Sequence, residues 1–184
     1  MVLGVGDGSP PARGRNPTPR PLVVGYGSSL RGDDAVGQRV VLELRRRREK
    51  APTLAGARFV LAECLTPELA EDLAGAGLAL FVDAACDGRP AGEVTVHPVA
   101  ASDARTAAGL EGLAAGGCWE DLTPKTLLDL ARCLYGSAPP VFVVSVGTER
   151  TPVGEGLSAP VEAAVARAVL LAEEVLETWE GGAR

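Results

Sequence analysis

Short apolar runs rich in β-branched residues recur along this chain, and between them lie longer segments whose apolar residues fall at helical spacing. That alternation builds a mostly parallel sheet covered by helices on both faces, because each strand-to-strand crossover lays a helix back across the sheet. Leu22 to Tyr26 reads as the first strand and Arg58 to Leu61 as the second. Ala79-Leu80-Phe81-Val82 is wholly apolar and suits a strand buried on both faces. Glu93 to Val99 alternates and suits a half-exposed strand, and Val141 to Val146 supplies the last. The fold class is therefore α/β, with a mostly parallel twisted sheet of about five strands.

The helices fall between these runs. Asp33 to Arg48 carries Val36, Val40, Val41 and Leu44 on one face, with Asp33 or Asp34 expected as its cap. Thr66 opens a second helix with Pro67 at its first position. Thr123 caps a third, with Pro124 at its start and Gly136 as its stop. Ser158-Ala159-Pro160 opens the last, through Val161, Val165, Val169 and Leu176. Ala100 to Gly117 has no period, and loops beyond about 12–15 residues in compact domains are usually functional or disordered. This one is expected to form an active-site margin or a partner surface. Residues 1–20, rich in Pro, Gly and Arg, read as a disordered leader, and residues 21–184 as one domain.

Composition narrows the function. Of 184 residues, 24 are acidic and 18 basic, a net charge of −6, and the leader removes three arginines against one aspartate. Phosphate backbones need clustered Lys and Arg, so a nucleic-acid partner is not expected. Arg45-Arg46-Arg47-Arg48 with Lys50 ends the first helix, where cations complement the helix dipole. No run approaches about 18 apolar residues, which excludes a membrane-spanning helix. Cys64, Cys86, Cys118 and Cys133 lack C-x-x-C spacing and read as reduced thiols of a cytoplasmic protein. G-x-S-x-G is absent, and no serine triad is legible.

Chemistry concentrates after the first strand, in Gly25-Tyr26-Gly27-Ser28-Ser29-Leu30-Arg31-Gly32-Asp33-Asp34. A dinucleotide fingerprint would need glycine where Leu30 stands, and two acids at a helix start would repel a pyrophosphate. No nucleotide is expected. The acids either cap the helix or leave one carboxylate to face a cation. Asp83 closes the apolar run of the third strand, and in a parallel sheet it reaches the same edge as Asp34. Two carboxylates converging without a basic partner are costly unless a cation joins them or one is protonated. Glu63 adds a third acid after the second strand.

Val24 to Gly37 resembles the opening motif of the hydrogenase maturation endopeptidases, G-x-G-N-x-x-R-G-D-D-G-x-G, with Ser28 in place of Asn and Ala35 in place of Gly. Phe81-Val82-Asp83-Ala84 resembles that family's second acidic motif, and Leu122 to Val146 with Gly156-Leu157-Ser158 resembles its third section. The resemblance implies removal of a C-terminal peptide from the large subunit of nickel-iron hydrogenase after nickel insertion. Nickel, supplied by the precursor, would be contacted by an acid after the first strand, an Asp after the third and a His. Asp34 and Asp83 take the first two places as catalytic and metal-contacting residues. The His is replaced, and Glu120 is its nearest positional counterpart; a second His is likewise missing from Glu63-Cys64-Leu65-Thr66-Pro67, which resembles a stretch where close relatives carry His before Gln-Leu-Thr-Pro. The remaining acids, Asp33, Glu63 and Asp121, are expected to contact the substrate.

An all-carboxylate site binds borderline metals more weakly than imidazole does and leans towards harder divalent cations. His97 lies in the alternating strand, away from every strand end at the site edge, and reads as a strand-face residue. Two functions follow: a metal-dependent endopeptidase acting on a hydrogenase large-subunit precursor, or a relative that has lost cleavage with its histidines and acts as a binding module.

Overall fold

Strands β1 (Pro21–Tyr26), β2 (Arg58–Ala62), β3 (Leu78–Ala85), β4 (Val94–Val99) and β5 (Val141–Gly147) form one sheet in the order β2-β1-β3-β5-β4. Neighbours pair in parallel except β4, which runs antiparallel along β5 at the edge. The structure, a computed structural model, describes residues 19–102, 122–149, 153, 154 and 156–182. Residues 1–18 of the expected leader, almost all of the 100–117 loop, Cys118, Glu120 and Asp121 lie outside these. Among the described residues no helix is long and apolar enough to cross a membrane.

The chain steps outward from β1 to β2 and then back across β1 to β3. Right-handed crossovers place the two intervening helices on opposite faces of the sheet. One face carries α1 (Val36–Arg47), which packs with the C-terminal helix over Val23, Leu80, Val82 and Val144. The other carries α3 (Leu69–Ala74) and α4 (Pro124–Tyr135) over Leu22, Val24, Phe81 and Val143. Helix α5 (Ala159–Gly182) returns to the α1 face and contributes Val161, Val165, Val169 and Leu176. Successive residues of β1 and β3 thus feed two separate cores, which is why both strands read as unbroken apolar runs. Each fully buried Leu, Val or Phe contributes roughly 1.5–3 kcal/mol.

Two glycines set how closely α1 lies on the sheet. A Cβ on Gly25 would stand 2.3 Å from the Gly37 carbonyl oxygen, and one on Gly37 would stand 2.3 Å from that of Val82. Backbone therefore meets backbone where β1 leads into α1, and the loop between them is held against the end of β3.

Three element starts differ from the sequence reading. A short 3-10 turn, Gly32–Ala35, precedes α1, and neither Asp33 nor Asp34 caps that helix, because both carboxylates are engaged elsewhere. Helix α3 begins at Leu69, not Pro67: the Leu69 and Ala70 amides donate to the Thr66 and Pro67 carbonyls, closing a tighter turn ahead of it. One further helix, α2 (Pro52–Ala55), opens on Pro52. By contrast α4 matches the expected signals at both ends, with Thr123 Oγ1 accepting from the Thr126 amide at 3.1 Å and Gly136 left-handed at φ +68°.

Candidate metal-contacting site

The order β2-β1-β3 makes the gap between β1 and β3 the place where the chain reverses its direction of travel across the sheet. Loops leaving two such strands diverge and open a crevice at their carboxyl ends. Asp34, in the turn after β1, and Asp83, near the end of β3, lie at that edge of the sheet.

Asp34 is aimed by its own loop. Its Oδ2 accepts from the Ser28 amide at 2.7 Å, and Gly27 is left-handed at φ +126°, where a Cβ would strike the Asp34 carbonyl at 2.0 Å. Gln38 Nε2 donates to the carbonyls of Gly27 at 2.6 Å and Ala62 at 3.1 Å, tying the ends of β1 and β2 together. Asp83 sits one register step beyond the Gly25–Val82 pair, so it lies beside Tyr26, whose hydroxyl donates to Asp83 Oδ2 at 2.7 Å.

The electrostatics single out Asp83. Burial pushes its pKa up to about 6; the hydrogen bonds from Tyr26 and the Ala84 amide oppose the rise, and the Asp34 charge adds to it. Tyr26 is held protonated well above the ordinary phenol range, by burial first and then by the Asp83 charge. Among the described residues no ion pair joins Lys or Arg to Asp34 or Asp83. Two acids that repel one another at a crevice with no cationic side chain between them present an oxygen-rich face to a cation.

The other acids separate. Asp33 is buried, and its two oxygens accept from the Ser158 amide at 2.6 Å and the Ser158 hydroxyl at 2.9 Å. It fastens the first loop to the start of α5. Arg31 and Gly154 form a β-bridge alongside, with the Gly32 amide donating to the Gly154 carbonyl at 2.8 Å. Glu63 stands exposed at the rim and accepts from the Ser29 amide at 3.2 Å and hydroxyl at 3.0 Å. The Ser29 hydroxyl is the chief reason its pKa lies below the usual glutamate value. His97 is exposed on β4 opposite Val143, two residues further from the site edge than Thr95, which faces Ser145 beside Asp83.

Two members of the expected metal trio, Asp34 and Asp83, fall among the described residues. Among the described residues no three His, Cys, Asp or Glu side chains form a metal-holding group. Asp34 and Asp83 supply two carboxylates; Glu120, expected as the third, and Asp121 lie outside the described residues.

Sequence reasoning missed Tyr26, Gln38 and Ser158. For Tyr26 a signal existed, since a polar-tipped ring ends an otherwise aliphatic strand next to the acid-bearing one. Ser158 carried none, because it meets Asp33 across 125 positions.

The fold is that of the hydrogenase maturation endopeptidases. Similar solved structures include the hydrogenase maturating endopeptidase HybD from E. coli, 22% identical over 86% of this chain and 93% of that one, with a TM-score of 0.61. The [NiFe] hydrogenase maturation protease HycI from Thermococcus kodakarensis is 21% identical over 86% and 92%, also with a TM-score of 0.61. A hydrogenase 2 maturation peptidase from a thaumarchaeon reaches 27% identity over 86% and 98%, with a TM-score of 0.59. No family model matches the sequence, and no curated protein does.

Proposed function

We propose that this chain is an endopeptidase of hydrogenase maturation, removing a C-terminal peptide from a nickel-loaded large-subunit precursor. The observation that carries this reading is the pair Asp34 and Asp83, placed at the β1/β3 switch point with no ion pair to Lys or Arg among the described residues, on a fold shared with enzymes of that activity. The nickel belongs to the substrate. It arrives on the precursor's ligands, so the enzyme needs only enough affinity to engage it, which two weak carboxylate donors supply. The metal polarises the scissile carbonyl or activates water.

Each residue of the chain then has a task. Asp34 and Asp83 dock the precursor's metal, and Glu120 is proposed as a third contact. The Ser28 amide fixes Asp34, Gln38 holds the loop, and Glu63 braces Ser29 at the rim where the substrate enters. The carboxylate set also accommodates a harder divalent cation in place of nickel. Cytoplasmic residence agrees with free, exposed Cys64, Cys86 and Cys133.

The test is incubation of the full chain with nickel-loaded and nickel-free precursor, read by mass spectrometry. Loss of the C-terminal extension only from the loaded precursor, abolished by Asp34→Asn, is expected. A stable complex with an intact precursor would contradict the reading.

A further inference from the structure

Asp83 has two oxygens, and the way they are shared determines how many coordination positions it takes on a cation. Tyr26 is the last residue of β1, between Gly25 and Gly27, and its hydroxyl donates to Asp83 Oδ2 at 2.7 Å. Among the described residues no other side chain donates to that carboxylate. The ring cannot swing away freely. It packs edge-on to Phe81, with centroids 6.4 Å apart and planes at 80°, against the core that contains Leu22 and Val24. Phe81 and Asp83 lie two apart on β3 and so share one face of it, where the aromatic contact and the hydrogen bond hold the same ring.

We propose that Tyr26 is a positioning residue that keeps Asp83 a one-oxygen ligand: by holding Oδ2 it leaves Oδ1 for the substrate's metal and keeps the neighbouring coordination position open for the scissile carbonyl or water. This rests on the proposed cleavage reaction and adds the residue that governs the geometry of one contact. The chemistry follows from carboxylate binding modes. An unrestrained carboxylate can bind a divalent cation through both oxygens and so fill two positions. A metal that acts on a peptide bond needs one position free. Removing the hydroxyl frees Oδ2 to close that position, strengthening the grip on the metal and slowing the chemistry.

Tyr26→Phe keeps the ring and its packing, so the variant is expected to fold, with a melting temperature within a few degrees of the parent chain. The experiment is steady-state cleavage of nickel-loaded precursor by both proteins, with kcat and KM resolved. The expected result is a fall in kcat of at least tenfold with KM unchanged or lower. Both constants within twofold of the parent's would overturn the proposal while leaving the proposed function standing. A raised KM, with or without a fall in kcat, would also overturn it, because Tyr26 would then serve binding and not coordination geometry. If the parent chain itself leaves the precursor intact, the proposed function fails and this inference fails with it.

Discussion

Two half-buried aspartates, Asp83 and Asp129, show how differently one fold treats the same side chain. Asp129 lies on α4 where the chain leaving β4 crosses it, and its oxygens accept from the Ser102 amide at 2.7 Å, the Ser102 hydroxyl at 2.7 Å and Lys125 Nζ at 2.9 Å. Burial pushes its pKa up, but those hydrogen bonds and the lysine charge outweigh that and hold it below the usual value. Burial weighs more heavily on Asp83, the hydrogen bond from one phenol only partly offsets it, and its charged neighbour is another acid, so its pKa rises to about 6. Asp129 is a clamp that stabilises the fold. Asp83 is held in a state the fold does not favour, as the proposed function requires of a group that meets the substrate's metal.

The largest expected effect separates the two by activity. Asp83→Asn should lower cleavage of nickel-loaded precursor by about 10²–10³-fold, the range typical for removing one group that stabilises reacting charge. Asp129→Asn should cleave at the parent rate. Equal losses in both variants would erase the distinction.

Stability should move in opposite directions. A carboxylate whose pKa is raised on folding binds its proton more tightly in the native state, so stability falls as pH rises from about 4 to about 6 and stays lower above that. Asp83→Asn should therefore raise stability at pH 7.5, by at most about 3 kcal/mol from the size of the shift, and the gain should vanish near pH 4. For Asp129 the sign reverses. Its stabilisation is present above the unfolded-state value and is lost in acid, so Asp129→Asn should lower stability at pH 7.5, and the loss should shrink as the pH falls below about 4. Urea denaturation across this pH range checks both.

A smaller pair of effects sharpens the comparison in the backbone. Gly37→Ala drives a methyl into the Val82 and Tyr26 carbonyls at 2.3 and 2.5 Å, neither of which can rotate away, and should cost about 1–3 kcal/mol or more. Gly136→Ala, at the end of α4, meets open space and bears only the strain of a left-handed residue, about 1 kcal/mol. Denaturation midpoints that rank the two the other way would mean that α1 does not press on the sheet as described.

Legibility in the sequence followed the reach of each interaction. Helix α4 was readable at both ends because Thr123, Pro124 and Gly136 act within one turn of their own positions. The apolar run of β3 and the alternation of β4 were readable because burial on two faces or one imprints directly on residue type. The site was readable only in outline. Asp34 and Asp83 stood out as acids at strand ends, but the separation of Asp33 from Asp34 depended on Ser158, and the sharing of Asp83 depended on Tyr26, 57 positions away. Neither pairing leaves a periodic trace.

The central claim is that Asp34 and Asp83 engage a metal carried by the substrate. The most direct measurement is nickel-edge X-ray absorption on the loaded precursor, alone and mixed with the Tyr26→Phe chain to slow turnover. Additional oxygen scatterers in the nickel shell on mixing, lost when Asp34→Asn and Asp83→Asn are added to that chain, are expected. A nickel shell unchanged by mixing, in a complex that forms and still cleaves, would contradict the account.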